Sequence, residues 1–348
     1  MRLIPNAVPH LGGNEWQYLK ECLDTNWVSS VGPFVERFER EVAAYVGCAH
    51  AVATVSGTAA LHVALLLAGV GPGDEVLVPA LTFVATANAV RYCRAEPVFM
   101  DAEPVSWGID PTKVAEFLGR ECEVRHGHVV NRATGRTVKA IVPVHLYGHP
   151  VDLDPLLDLT TRYPLALVED AAEALGARYR GRRVGALGRL GCLSFNGNKI
   201  ITSGGGGMIL TNDGELACRA RSLTTQARAD GLEYIHHEVA STTALRTSRP
   251  PSAWPSSKRS TDSSRRSGAP RPCIRRRSPG SAAPSRLARR RGPSRPPGCT
   301  RCCWTPVVTA TCGGWSNGRT LRAFSAGRSG TRCIASRCSR ASRRTGLR

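Results

Sequence analysis

The sequence predicts an α/β fold whose mostly parallel central sheet is covered by helices on both faces. Short apolar segments alternate with helical, small-residue segments through the first 240 residues. Polar residues collect just past the ends of the apolar segments, where sheets of this kind bind ligands. The alternation then stops, so the fold belongs to the N-terminal part of the chain.

Each element follows from a local pattern. Ala51–Val55 is a short β-branched run and reads as a strand. Ser56-Gly57-Thr58 follows as a turn, and Ala59–Ala68 is an Ala/Leu-rich helix ended by Gly69. Glu75–Val78 is a second strand, and Thr82–Val90 is helical sequence of small residues. Pro97–Met100 is a third strand, closed by Asp101. Ala140–Val144 is a fourth, and Ala166–Glu169 is a fifth, closed by Asp170. Cys192–Phe195 and Gly207–Leu210 are further short strands.

The formal charge of +20 points first to a nucleic-acid binder. Splitting the chain removes that reading. Residues 241–348 hold 25 of the 47 Lys and Arg but only one of the 27 acids, Asp262, which makes them +24. Residues 1–240 keep 22 bases and 26 acids, a net charge of −4. Salt-dependent DNA binding by the tail would be nonspecific. Its aromatics, Trp254, Trp304, Trp315 and Phe324, are too sparse for a base-stacking surface. Six cysteines (Cys22, Cys48, Cys93, Cys122, Cys192, Cys218) are scattered through the body without a CxxC pair. They read as reduced thiols of a cytoplasmic protein, with no metal site. No basic-then-apolar leader opens the chain and no run of 18 apolar residues occurs, so the expectation is a soluble protein that is not exported.

Four features carry chemistry. Lys199 lies in LSFNGNKIITSGGGGMI, between a short strand and four glycines. A lysine in a dry pocket can form a Schiff base with an aldehyde, although most lysines are solvated surface charges. Asp170, in LVEDAAEALGA, ends an apolar strand at the ligand-binding edge. A carboxylate there can hold the pyridine nitrogen of pyridoxal phosphate (PLP) protonated, or can simply cap the next helix. Ser56-Gly57-Thr58 offers free N–H groups and hydroxyls at a helix start, which suits either a phosphate or a plain N-cap. Phe83, in LTFVATANA, is an aromatic at a helix start, fit to stack on a flat ring or to pack in the core.

In order, SGTAAL, TFVATANAV, EDAAEALGA and SFNGNK resemble the DegT/StrS-type sugar-nucleotide aminotransferases, which are fold-type-I PLP enzymes. The opening VPHLGGNEWQYLKECLDTNWVSSVG, with PVHLYGHPVD and SFNGNKIIT, is most similar to the subgroup acting in legionaminic acid and bacillosamine-type sugar synthesis. The resemblance covers residues 1–239 and implies the large domain of a fold-type-I PLP-transferase there. It also implies a role for each matching position. Lys199 would carry PLP on its amine and shuttle a proton. Asp170 would face the pyridine nitrogen, and Gly57, Thr58 and Ser194 would hold the phosphate. Phe83 would stack on the ring, and Glu173 stands where relatives often carry Gln or His beside it. Asn196, Trp27, Ser29, His145 and Tyr147 are further candidates for the pocket wall. The implied reaction moves an amine from glutamate to a keto sugar on a nucleotide, suggested to be a UDP-linked 2-acetamido-4-keto-6-deoxyhexose. It would serve cell-surface polysaccharide or nonulosonic acid synthesis in a homodimer. A PLP-dependent sugar dehydratase or epimerase is the alternative enzyme; lysine rather than histidine at 199 argues for transamination.

Residues 240–348 read as an Arg/Ser/Pro-rich tail, largely disordered and replacing the small C-terminal domain of the family. The family continues with a motif like GFNYRLTNIQAA. From Val239 on, each codon's third base read with the next two bases can spell that motif. One step is forced: Trp254 followed by Pro255 must give Ala. A one-base loss near the Val239 codon accounts for the tail. The same resemblance places an Asn of the missing motif at the partner subunit's PLP phosphate. The chain as written is thus expected to turn over weakly or not at all, and an inactive remnant is an alternative reading of it.

Overall fold

Apolar period and turn chemistry set the elements of the computed structural model, which describes residues 8–227, 235–236 and 238–246, all within the unit formed by residues 1–275. The tail's expected disorder, and most of the proposed out-of-frame segment, lie outside the described residues.

Two helices come first, α1 (Glu15–Asp24) and α2 (Pro33–Val46). Pro33 opens α2 where no N–H is needed, and Gly47 ends it at φ 87°, a conformation that costs a residue without Cβ nothing. Phe34, Val35, Phe38, Val42 and Val46 form the buried stripe of α2 at helical spacing. There follow β1 (His50–Thr54), α3 (Gly57–Leu67), β2 (Glu75–Pro79), α4 (Val84–Tyr92), β3 (Glu96–Met100) and α5 (Pro111–Arg120). A hairpin, β4 (Cys122–Arg125) and β5 (His128–Asn131), leads into β6 (Thr137–Ile141) and α6 (Leu153–Arg162). Then come β7 (Ala166–Asp170), the small hairpin β8 (Arg178–Tyr179) and β9 (Arg182–Arg183), β10 (Leu190–Ser194), β11 (Gly207–Thr211) and α7 (Gly214–Thr224).

The main sheet runs β1-β11-β10-β7-β6-β2-β3, with the β4–β5 hairpin attached at β6. The ladders β10–β7, β7–β6, β6–β2 and β2–β3 are parallel. Only β11 runs against its neighbours β1 and β10 in that row. The carboxyl ends of β1, β2, β3, β6, β7 and β10 therefore share one edge, and β11 starts at that edge. Side chains alternate between two cores. Leu77, Ile141, Leu167, Leu193 and Met208 face the core shared with α2, α5 and α6. Val76, Ala140, Val168, Cys192 and Ile209 face the one shared with α3, α4 and α7.

All seven strands expected from the sequence form, with shifted ends. The largest shift is at β6, expected over Ala140–Val144 and found over Thr137–Ile141. Pro143 has no N–H for the ladder, so beyond Ile141 the pairing thins to the Val142 N–H on Leu77 O and the bridge Val144–Asp170. Ser56-Gly57-Thr58 is not a turn ahead of α3 but its cap and first turn: the Ser56 hydroxyl accepts from Ala59 N–H at 3.1 Å. Among the described residues no helix is long and apolar enough to cross a membrane.

Candidate active site

Asp170 is the last residue of β7 and shares the face of Val168, so its carboxylate points toward α4. It is buried, 5% exposed. Thr86 of α4 donates its hydroxyl to Oδ2 at 2.8 Å, and Ala172 N–H donates to Oδ1 at 3.2 Å. Burial pushes the carboxyl above its ordinary value; the Thr86 hydroxyl, the Ala172 N–H and the nearby His145 and Lys199 pull against that without overcoming it. Each oxygen of this buried acid accepts one hydrogen bond and keeps capacity for a further donor, such as a protonated ring nitrogen.

Lys199 lies in the loop from β10 to β11, its N–H bonded to Asn196 O at 3.0 Å. Its side chain is only 14% exposed, and Nζ meets Glu173 Oε1 at 3.0 Å. The other oxygen of Glu173 accepts from Tyr147 N–H at 3.0 Å. Lys199 and Asp170, 29 positions apart in sequence, lie at one edge of the sheet, because Lys199 follows β10 and Asp170 ends its parallel neighbour β7.

A second convergence lies at the ends of β1 and β10. A Cβ on Gly57 would sit 2.8 Å from Ser194 Cβ and 3.2 Å from its Oγ. A Cβ on Gly207 would run into the Ser56 carbonyl. Ser56 also bridges Gly206, whose φ of 119° excludes ordinary side chains. Three glycines thus let β1, β10 and β11 close on the N-terminus of α3, leaving a cradle with the half-buried Thr58 and Ser194.

The other expected residues divide. Asn196 is exposed next to this cradle, its amide on Asn198 Oδ1 at 3.3 Å. Phe83 caps α4 and is 72% exposed, so it does not pack in the core. Tyr147 is also exposed, in a left-handed conformation at φ 52°. His145, expected at the pocket wall, is fully buried instead. Its ring is drawn inward by Glu169, Nε2 to Oε2 at 3.1 Å, and by Val151 N–H on Nδ1 at 3.2 Å. Trp27 and Ser29 stay in the exposed loop between α1 and α2, where the Trp27 ring covers Gly32.

Thr86 and Glu169 were missed by the sequence reading. Thr86 hides among small helical residues, and its position three residues beyond Phe83 is the one available signal. A cavity of about 910 Å³ lies elsewhere, between residues 103–115, residues 150–162 and the β8–β9 hairpin. Several of its polar groups are already engaged: Asp110 caps α5, Asp152 accepts from Tyr179, and Asp154 beside it pairs with Arg180.

Comparison with known proteins agrees with this geometry. The model of the DegT/DnrJ/EryC1/StrS aminotransferase family matches residues 9–247. GDP-perosamine synthase of Caulobacter vibrioides is 48% identical over 231 residues, 66% of this chain and 58% of that protein. The putative pyridoxal phosphate-dependent aminotransferase EpsN of Bacillus subtilis is 42% identical, covering 66% of this chain and 57% of its own. The crystal structure of DesI, determined in the presence of its TDP-sugar product, superposes with a TM-score of 0.60 at 32% identity, over 71% of this chain and 59% of that one. The chain thus spans about three fifths of the length of the curated relatives it matches.

Proposed function

The chain belongs to the DegT/DnrJ/EryC1/StrS aminotransferase family, and we propose that its sheet edge is a PLP site for moving an amino group from glutamate to a nucleotide-linked keto sugar. One observation supports the reading: a mostly buried amine, Lys199, follows β10 and a buried acid, Asp170, ends its parallel neighbour β7, so both lie at the same edge of the sheet. The residues present fit PLP. The cradle at Gly57, Thr58 and Ser194, which a Cβ at 57 would crowd, suits its phosphate. Asp170 suits its ring nitrogen, and the exposed Phe83 ring suits its face.

When bound, PLP supplies an electron sink for the carbanion at the amino-bearing carbon. The chain's residues do the rest. Asp170, once ionised, keeps the ring nitrogen protonated, with Thr86 steadying one oxygen. Lys199 Nζ carries the proton between donor carbon and cofactor. Glu173 holds Lys199 on one oxygen and the Tyr147 peptide on the other, fixing the amine relative to the loop after β6. Asn196, Trp27, Ser29 and Tyr147 are proposed to face the sugar nucleotide from the rim.

The names of the relatives favour the GDP-linked keto sugar whose amination gives GDP-perosamine. The opening segment favours a UDP-linked 2-acetamido-4-keto-6-deoxyhexose. The test adds PLP to the purified chain and follows the visible absorption of lysine-bound cofactor, with Lys199→Ala as control. Glutamate and each keto sugar are then supplied and the amino sugar is assayed. A Lys199→Ala protein with the same visible band as the parent would overturn the assignment.

A further inference from the structure

We propose that Glu169, to which the proposed PLP site gives no role, is a positioning residue that acts on the cofactor through Asp170; the inference rests on that site. Glu169 precedes Asp170 on β7 but faces the opposite core, and its side chain is wholly buried. It accepts four hydrogen bonds. Leu187 N–H and Gly188 N–H reach Oε1 at 2.6 and 2.7 Å, and Gly185 N–H reaches Oε2 at 2.8 Å. The fourth comes from His145 Nε2 to Oε2 at 3.1 Å. Val151 N–H occupies Nδ1, so the imidazole donates to Glu169 from Nε2. Among the described residues no Lys or Arg is paired with Glu169. Peptide dipoles and one ring hold the anion.

This arrangement clamps Asp170. The loop that supplies His145 also brackets the Asp170 peptide: Asp170 N–H donates to Pro143 O at 2.9 Å and His145 N–H donates to Asp170 O at 3.1 Å. The turn at 185–188, which gives Glu169 its other donors, leads directly into β10, beside β7. Glu169 therefore pins both segments flanking Asp170, and the height of the Asp170 carboxylate above the sheet is set by them. Gln cannot replace it. One amide oxygen serves one side, and the NH₂ then meets an N–H donor on the other.

The experiment is a double-mutant cycle on PLP affinity, read from the visible band in the full-length chain well below each variant's melting temperature. Glu169→Gln is expected to weaken PLP binding roughly 10- to 100-fold, the range seen when a hydrogen-bond partner behind a ligating group is removed. In an Asp170→Asn background the same change is expected to cost less than about twofold, because the group it acts through is gone. Equal losses in both backgrounds would mean a merely structural role and overturn the proposal, as would an unweakened Glu169→Gln. If Glu169→Gln folds poorly, His145→Leu, which removes one of the four donors, carries the same cycle. Absence of the band in the unmutated chain would sink the PLP site itself, a different result from equal losses in both backgrounds.

Discussion

Replacing Thr86 with Val keeps the shape of a 1% exposed side chain and deletes one hydroxyl. That hydroxyl donates to Asp170 Oδ2 at 2.8 Å. A hydrogen bond to an ionised carboxylate contributes about 1.5–3 kcal/mol, and one to a neutral acid about 0.5–1.5 kcal/mol. Burial favours the neutral form of Asp170 before PLP arrives. With a cationic ring nitrogen against it the acid is ionised. Only the difference between the two bonds enters PLP affinity, so Thr86→Val should cost about 1–1.5 kcal/mol, roughly tenfold. The assay is a PLP titration followed in the visible, with Thr86→Ser as rescue because it restores the donor. Unchanged affinity in Thr86→Val, or a loss that Thr86→Ser shares in full, would refute the claim that the hydroxyl tunes Asp170.

Other expectations come from the same geometry. Asp170 is raised above its ordinary value by burial, so its folded form binds a proton more tightly than its unfolded form. Its contribution to stability is present below the unfolded value and is lost as pH rises through the folded one, and melting temperature against pH should lose this slope in Asp170→Asn. Glu169 has the opposite sign. Burial alone would raise it, but the His145 ring and the N–H groups of Gly188 and Gly185 hold it below its ordinary value. Its contribution is present above the unfolded value and lost as pH falls through the folded one, so the acid limb should flatten in Glu169→Gln. Gly57→Ala places a methyl against Ser194, and calorimetry should show a loss of about 1–3 kcal/mol along with weaker PLP binding.

The framework was legible because β-branched and apolar runs dictate strands wherever both faces are covered, as in β1, β7 and β11. That Asp170, Gly57, Ser194 and Lys199 lie at or just past strand ends was legible because parallel strands deliver their ends to one edge, which makes residues there candidates. Two kinds of information were not. Burial of a polar side chain behind the edge depends on which loop packs over it, and the complete burial of His145 was not legible for that reason. Partners across long separations leave no local trace: Thr86 reaches Asp170 over 84 positions, and Glu169 gathers its donors from residues 145 and 185–188. Phe83 shows the converse. Its sequence context suited the core as well as a ring, and only its 72% exposure separates them.

Capture of PLP and turnover should therefore come apart in this chain. Every residue proposed to touch the cofactor lies between Gly57 and Lys199, inside the matched region. The remainder of the relatives' length has no counterpart in the matched residues. If residues 240–348 are out of frame, the chain as written should bind PLP through Lys199 yet transaminate a keto sugar far more slowly than a gene with one base restored near the Val239 codon. Binding and turnover are measured on the two proteins side by side. Equal turnover would refute the out-of-frame reading. A chain that takes up no PLP at all would overturn the proposed PLP site itself.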